Sequence, residues 1–339
     1  MARFRRGLTS AAMTQLERLT ASREDNWWKH LLAAWTPSGQ DSCSRGLRLA
    51  VRENYLSFYR LGNSVARIAF DRHSTPRLEL HIKYVRPDIV DTVKRLRRCA
   101  RVDLHGHITW WDANVGKYND DQTLLRWTQN AQRFALGQNR QTKKETPGSD
   151  REKPEVDRIV RDTSDLIDLE MAWTPDLEPQ PPTPVKKTKK GAPRLDIVCL
   201  ETTGDEFRVV LWEAKRIADG RVRAAMDQMP EVFDQLKKYK KFLEQNDSRD
   251  QIVEAYRNTC EVLTNIHEMR SQRCAPPSET ILAIGKNRRR LTTVDPMPRV
   301  VIFGDASGND DPWLSHSARF TRQGYTLKNF ILGSQYKLC

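Results

Sequence analysis

Apolar residues in the first 35 positions fall three and four apart: Met13, Leu16 and Leu19, then Trp27, Leu31, Leu32 and Trp35. That spacing lines one face of a helix and predicts helix across 11–35. From Leu47 the period drops to two. The runs Tyr55–Leu61 and Ser64–Phe70 flank Gly62-Asn63, a pair suited to a tight hairpin turn. Leu78–Val85 alternates again and predicts the next strand. Arg86-Pro87 ends the run, and Ile89–Cys99 predicts a basic helix with Lys94, Arg95, Arg97 and Arg98. Residues 1–140 therefore read as an α+β domain containing a β-meander.

Residues 138–154 are polar and hold Pro and Gly, which marks a loop or domain boundary. Beyond it, 141–339 reads as a second domain. Pro154–Asp162 predicts a short helix, and Leu166–Trp173 a strand. The stretch 174–193 is Pro-rich, contains Lys186, Lys187, Lys189 and Lys190, and predicts an exposed, flexible loop. Arg194–Glu201 and Phe207–Lys215 predict strands, and Ala224–Gln245 and Arg249–Arg270 predict helices. Ile281–Gly285 and Val300–Phe303 are short apolar runs expected as strands. This order predicts an α/β fold with a mixed sheet flanked by helices.

The chain of 339 residues carries 57 basic and 44 acidic side chains, a formal charge of +13. That excess favours an anionic partner, nucleic acid first among them. No apolar stretch is long enough to span a membrane, so no membrane partner is expected. The six cysteines are scattered without a C-x-x-C pair. That argues against a cysteine metal site and against a disulfide framework, and it points to a reducing, cytoplasmic location. The basic start is followed by no apolar segment of the kind a secretory signal needs. No phosphate-binding P-loop, dinucleotide fingerprint or serine-hydrolase elbow is present.

The chemistry concentrates in 193–215. Gly204-Asp205 predicts a two-residue hairpin turn, which sets Thr203 opposite Glu206 and, step by step, Asp196 opposite Glu213. Side chains alternate along a strand, so Asp196, Glu213 and Lys215 share one face at the end of an otherwise apolar hairpin. Two adjacent carboxylates repel. A Mg²⁺ ion, with its preference for oxygen ligands, removes that repulsion. A lysine beside them can position the attacking water and offset charge on a phosphate.

Asp196 followed by Glu213-Ala214-Lys215 on the next strand resembles the D…(D/E)-x-K signature of the PD-(D/E)xK nuclease superfamily. Leu195 stands where the family pattern has Pro. Downstream, Gln235 and Tyr239 match the Q-x-x-x-Y pattern of the RecB-like branch, and residues four apart share a helix face. The resemblance covers roughly 150–305. It implies a restriction-endonuclease-like sheet and a Mg²⁺ ion, for which Mn²⁺ can substitute. Asp196, Glu213 and the Ala214 carbonyl are the implied ligands, with Lys215 at the water and Gln235 and Tyr239 lining the site. The family core often opens with a helix whose Glu helps hold the metal. Glu155 is the candidate here, with Glu152 and Glu170 as alternatives. The iron–sulfur cysteines of some RecB-like enzymes have no match.

The expected activity is phosphodiester hydrolysis, in DNA rather than RNA and as an endonuclease rather than an exonuclease. By association with stand-alone members of the superfamily, it points to restriction, anti-phage defence or repair. A homo-oligomer or a defence-system partner protein fits the same picture. Residues 1–140 match no pattern and by analogy would sense a trigger or grip a target. The rival expectation is a nucleic-acid-binding or interaction protein on a nuclease-like scaffold, without turnover. Weaker candidates are His105 and His107, Arg288–Arg290, Trp27-Trp28 and Trp110-Trp111.

Overall fold

The computed structural model describes residues 4–41, 46–87, 99–110, 113–136, 152–172, 194–224, 228–245, 247–272, 274–304, 313–330 and 336–338. The expected basic helix after Pro87, the lysine cluster 186–190, the loops around 140 and 180 and Trp111 lie outside them. Contacts divide the chain into two compact units. One comprises Met1–Arg5, Leu166–Arg257 and Asn287–Cys339, and the other Arg6–Asp165 and Asn258–Lys286. Residues 152–165, grouped by pattern with the C-terminal half, thus count with the N-terminal sheet. The two units together make an α/β protein with two sheets.

The second of these units holds a seven-stranded antiparallel meander, ordered as in the chain: β1 (Arg48–Arg52), β2 (Tyr55–Arg60), β3 (Asn63–Phe70), β4 (Pro76–His81), β5 (Cys99–Val102), β6 (His107–Trp110) and β7 (Ala113–Lys117). Its inner face is apolar, with Leu56, Phe58, Ile68, Leu78, Leu80, Val102 and Ile108 buried. The N-terminal helix is broken into α1 (Ser10–Ala21) and α2 (Trp27–Ala34). Asn26 caps α2 by accepting from the Trp28 and Lys29 backbone N–H groups, and so starts a new helix there. Both Trp27 and Trp28 are buried, with their indole N–H groups on the Asp103 carbonyl and the Thr20 hydroxyl.

Two expected boundaries move. The first hairpin turns on Leu61-Gly62, one residue earlier than the pair singled out in the sequence, and both residues have positive φ. A bulge between Phe58 and Tyr59 then moves the register by one residue. The strand from Leu78 stops at His81, whose ring accepts from the Lys83 N–H and caps the short helix α3 (Ile82–Val85). α4 (Asp121–Ala135) and α5 (Glu152–Asp162) follow. Buried Arg48 on β1 and Asp157 on α5 oppose each other's desolvation.

The first unit carries a mixed sheet in the order β13-β12-β10-β9-β8, with β11 also on β10. β8 (Leu166–Ala172), β9 (Arg194–Thr203) and β10 (Glu206–Arg216) are antiparallel neighbours. β11 (Leu291–Val294) and β12 (Arg299–Phe303) lie parallel to β10, and β13 (Leu327–Phe330) parallel to β12. Paired on both edges, β10 is buried from Val209 to Lys215, as its apolar run requires. α6 (Val232–Leu243) starts later than the sequence pattern suggests and buries Val232, Phe233, Leu236, Tyr239, Phe242 and Leu243, one helical stripe. Phe233 packs on Phe320 of α9 (Trp313–Arg322), ring centroids 4.8 Å apart. α7 (Ser248–Glu268) contains one boundary between the units.

The run Ile281–Gly285, expected as a strand, is helix α8 (Glu279–Lys286). A short apolar run does not distinguish strand from helix. Packing decides: a Cβ on Gly285 would sit 2.1 Å from the Thr264 hydroxyl and 2.9 Å from the Cys260 carbonyl of α7. Only glycine allows the two helices this approach.

Candidate metal and active site

The β9–β10 hairpin turns at Gly204-Asp205. Gly204 takes φ +61°, which a type II′ turn needs at its first central residue. The ladder then runs from Thr203–Glu206 to Ile197–Trp212 without a slip. It stops one step before Asp196 and Glu213. There the Ala214 N–H donates to Asp196 Oδ2 at 2.9 Å, so a carboxylate replaces a ladder carbonyl. Beyond this point Glu213 pairs with Val300 of β12.

Glu213 and Lys215 are almost wholly buried, and the Asp196 side chain is 27% exposed. Buried charges cost several kcal/mol each unless partnered. The partners converge on one point. Lys215 Nζ forms a short ion pair with Glu213 Oε1, donates to the Ala214 carbonyl at 3.1 Å, and lies 3.5 Å from Asp196 Oδ2. Three oxygens from three residues thus surround one small cation. They are the oxygens that the resemblance assigns to a metal.

The charge count does not close: two carboxylates face one ammonium. Burial first, and the Asp196 charge second, push the Glu213 carboxyl up to about 7, against the pull of Lys215 and Tyr239. Tyr239 reaches the site from α6, donating to the Arg194 carbonyl and lying 3.2 Å from Glu213 Oε2. A phenol has one proton, so the Arg194 carbonyl and Glu213 Oε2 compete for it. Burial, then the Glu213 and Asp196 charges, raise the Tyr239 pKa. One turn earlier, Gln235 Oε1 is buried without a hydrogen-bond partner among the described residues.

The donor set fits a hard divalent cation: carboxylate and carbonyl oxygens, with no sulfur or imidazole. Among the described residues no group of three His, Cys, Asp or Glu forms a metal cluster; the oxygens gathered at this point are two carboxylates and a carbonyl. Glu155 belongs to the other unit, where it pairs with Arg158 at 3.2 Å. The Glu152 side chain lies outside the described residues. Glu170 is exposed on β8 at φ +51°. Its neighbour in alternation, Asp168, carries no signal in the sequence that sets it apart from Glu170. It is buried, accepts from the Tyr256 hydroxyl at 3.1 Å, and shares the face of Asp196. Only the tertiary contact with α7 distinguishes it from Glu170.

The weaker candidates disperse. His107 is exposed and bonds Asp103, and His105 lies 6.3 Å from it, ring to ring. Arg288 pairs with Glu254, and Arg290 covers the Phe207 ring at 4.6 Å. Among the described residues no helix is long and apolar enough to cross a membrane. Compared with family models, with curated proteins and with solved structures, the chain matches none.

Proposed function

We propose that this chain is a divalent-metal-dependent nuclease with a restriction-endonuclease-like core, acting on DNA. The observation that carries the reading is the convergence of Asp196 Oδ2, Glu213 Oε1 and the Ala214 carbonyl on a single cationic nitrogen. An oxygen cradle that holds an ammonium is shaped for a small cation, and its surplus negative charge favours a divalent one. Mg²⁺, or Mn²⁺ in its place, would supply Lewis acidity at the scissile phosphate. Asp196, the more exposed carboxylate, faces the solvent side from which a phosphate arrives. Glu213 holds the inner side and is fixed by Tyr239. Lys215 orients the attacking water and offsets charge as it builds on the phosphoryl oxygens. Gln235, with its unpartnered Oε1, is placed one turn from Tyr239 to accept from water or nucleotide.

The test is incubation of the purified protein with plasmid DNA and with RNA, in Mg²⁺, Mn²⁺ or EDTA, beside Asp196→Ala. Cation-dependent cleavage of DNA by the parent, absent from the variant, is the expected result. A parent that cuts neither substrate, and whose melting temperature does not respond to either cation, overturns the reading.

A further inference from the structure

The seven strands of the meander contain seven basic residues and one acid: Arg48, Arg52, Arg60, Arg67, Arg77, Arg101 and Lys117 against Glu79. The register sorts them. Ser57, Arg67, Glu79, Arg101, Thr109 and Asn114 lie in one row across β2–β7. The next row on the same face holds Tyr55, Ala69 and Arg77. This is the face opposite the apolar core. Over β1 and β2 it is covered, with Arg48, Arg52, Ser57 and Tyr59 buried. From β3 onward it opens, and Arg67, Arg101, His107, Thr109 and Asn114 are exposed.

The open part has a built-in order. The Arg67 guanidinium lies 3.9 Å from the centre of the Tyr55 ring, a cation–π stack. Glu79 bridges Arg77 at 3.1 Å and Arg67 at 3.7 Å and is mostly covered. Arg101 sits across from Glu79 on β5, two strands and about 10 Å from Arg67. Three arginines on three neighbouring strands, with one acid among them, thus form a positive surface with an aromatic in it.

We infer that the exposed face of this sheet is a docking surface for single-stranded nucleic acid. Arg67, Arg77 and Arg101 would contact successive phosphates, and the Arg67–Tyr55 stack would offer a plane for a base. The charge is complementary to a polyanion, and guanidinium planes and aromatic rings are what unstacked bases stack on. The face of a sheet presents no helix or projecting ribbon to enter a major groove, so a splayed strand fits it better than a duplex. The inference rests on the nuclease reading for its class of partner and adds where that partner is held.

The experiment is fluorescence anisotropy in EDTA with a labelled single-stranded DNA 20-mer, its RNA equivalent and the corresponding duplex, at two salt concentrations. The proteins are the parent, the double variant Arg67→Ala/Arg101→Ala, Arg67→Glu, and Arg18→Glu on α1 as a charge control. Each substituted side chain is exposed, and a melting curve checks each fold. The double variant should bind single strands at least about fivefold more weakly, with a salt slope smaller by about 1.4. Arg67→Glu should weaken binding further, and Arg18→Glu should change it little. Single-strand binding that is unchanged in the double variant, or that falls equally in Arg18→Glu, overturns the inference. So does tighter binding of the duplex. A parent that binds through this face but neither cuts nor changes its melting temperature with Mg²⁺ or Mn²⁺ leaves the inference standing and removes the nuclease reading. Cleavage with binding unaffected by the variants does the reverse.

Discussion

The β9–β10 hairpin carries two clusters of charge, and they are built on opposite principles. On one face Glu201 accepts from Arg208 at 2.8 Å and from both terminal nitrogens of Arg299 at 3.0 and 2.9 Å, while Asp295 bonds Arg299 at 2.7 Å. Two acids meet two arginines. The Arg299 hydrogen bonds, above all, pull the Glu201 carboxyl down to about 2. On the other face two acids meet one lysine, and the Glu213 carboxyl is pushed up instead. The first cluster is complete as it stands and closes β12 onto the hairpin. The second is held by the fold in a state that one more positive charge would relieve. A charge cluster that balances stabilises structure. One that does not is what the proposed cation would balance.

The sharpest way to break this contrast is Lys215→Ala. Cleavage should fall about 10²–10³-fold, or roughly 2.7–4 kcal/mol, while binding in EDTA stays near the parent value. Lys215→Arg should not restore the rate, because a planar guanidinium does not replace a compact ammonium. A variant that cuts at the parent rate removes Lys215 from the chemistry. Next in size is the cation itself. Mg²⁺ at 100 times its dissociation constant should stabilise the parent by about 2.7 kcal/mol in thermal or urea unfolding. The gain should vanish in Asp196→Ala and persist in Glu201→Ala. Stabilisation that survives in Asp196→Ala places the cation elsewhere.

Glu201→Ala itself should cost about 1–2 kcal/mol of stability, tempered by its partial exposure and by the Asp295 contact left to Arg299. Its specific activity should match the parent, and a loss of rate without a loss of stability would give the balanced cluster a catalytic part. The finest effect is the pH dependence, where the clusters have opposite signs. Glu213 holds its proton more tightly in the folded chain, from 4.5 up to about 7. The stability it contributes is complete below about 4.5 and is lost as pH rises through about 7. Glu201 runs from 4.5 down to about 2, so its contribution is present above about 4.5 and lost as pH falls through about 2. Glu213→Gln should therefore flatten the metal-free melting profile near neutrality, and Glu201→Gln its acid limb. Melting curves across pH, in EDTA, check both.

Local chemistry accounts for what could be read ahead of the structure. Gly204-Asp205 and the alternation on either side leave little freedom to the hairpin, and its register follows from the turn. The first hairpin turns at Leu61-Gly62 rather than at Gly62-Asn63. There a bulge two residues away moves the register again, and a bulge leaves no mark in composition. The short apolar run Ile281–Gly285 fits a strand or a helix by pattern. Its helix is chosen by the approach to α7, which five residues of sequence do not contain.

The sequence by itself determined that Asp196, Glu213 and Lys215 share one face of a strand pair, because alternation and a two-residue turn are properties of the backbone within twenty residues. It also determined the excess of arginine over acid in the meander strands. Tertiary structure alone decided the rest. Burial of β10 between β9 and β12 desolvates Glu213 and makes its charge costly. Tyr239 becomes its partner only because α6 lies over that end of the sheet. Asp168 and Glu170 are equivalent in pattern, yet α7 draws one inward and leaves the other in water. On the face opposite the apolar core, Arg48 and Arg52 are buried and Arg67 and Arg101 exposed because one end of that face is covered and the other is not. Each of these depends on the surroundings of a side chain, and those are set by segments far away in the chain.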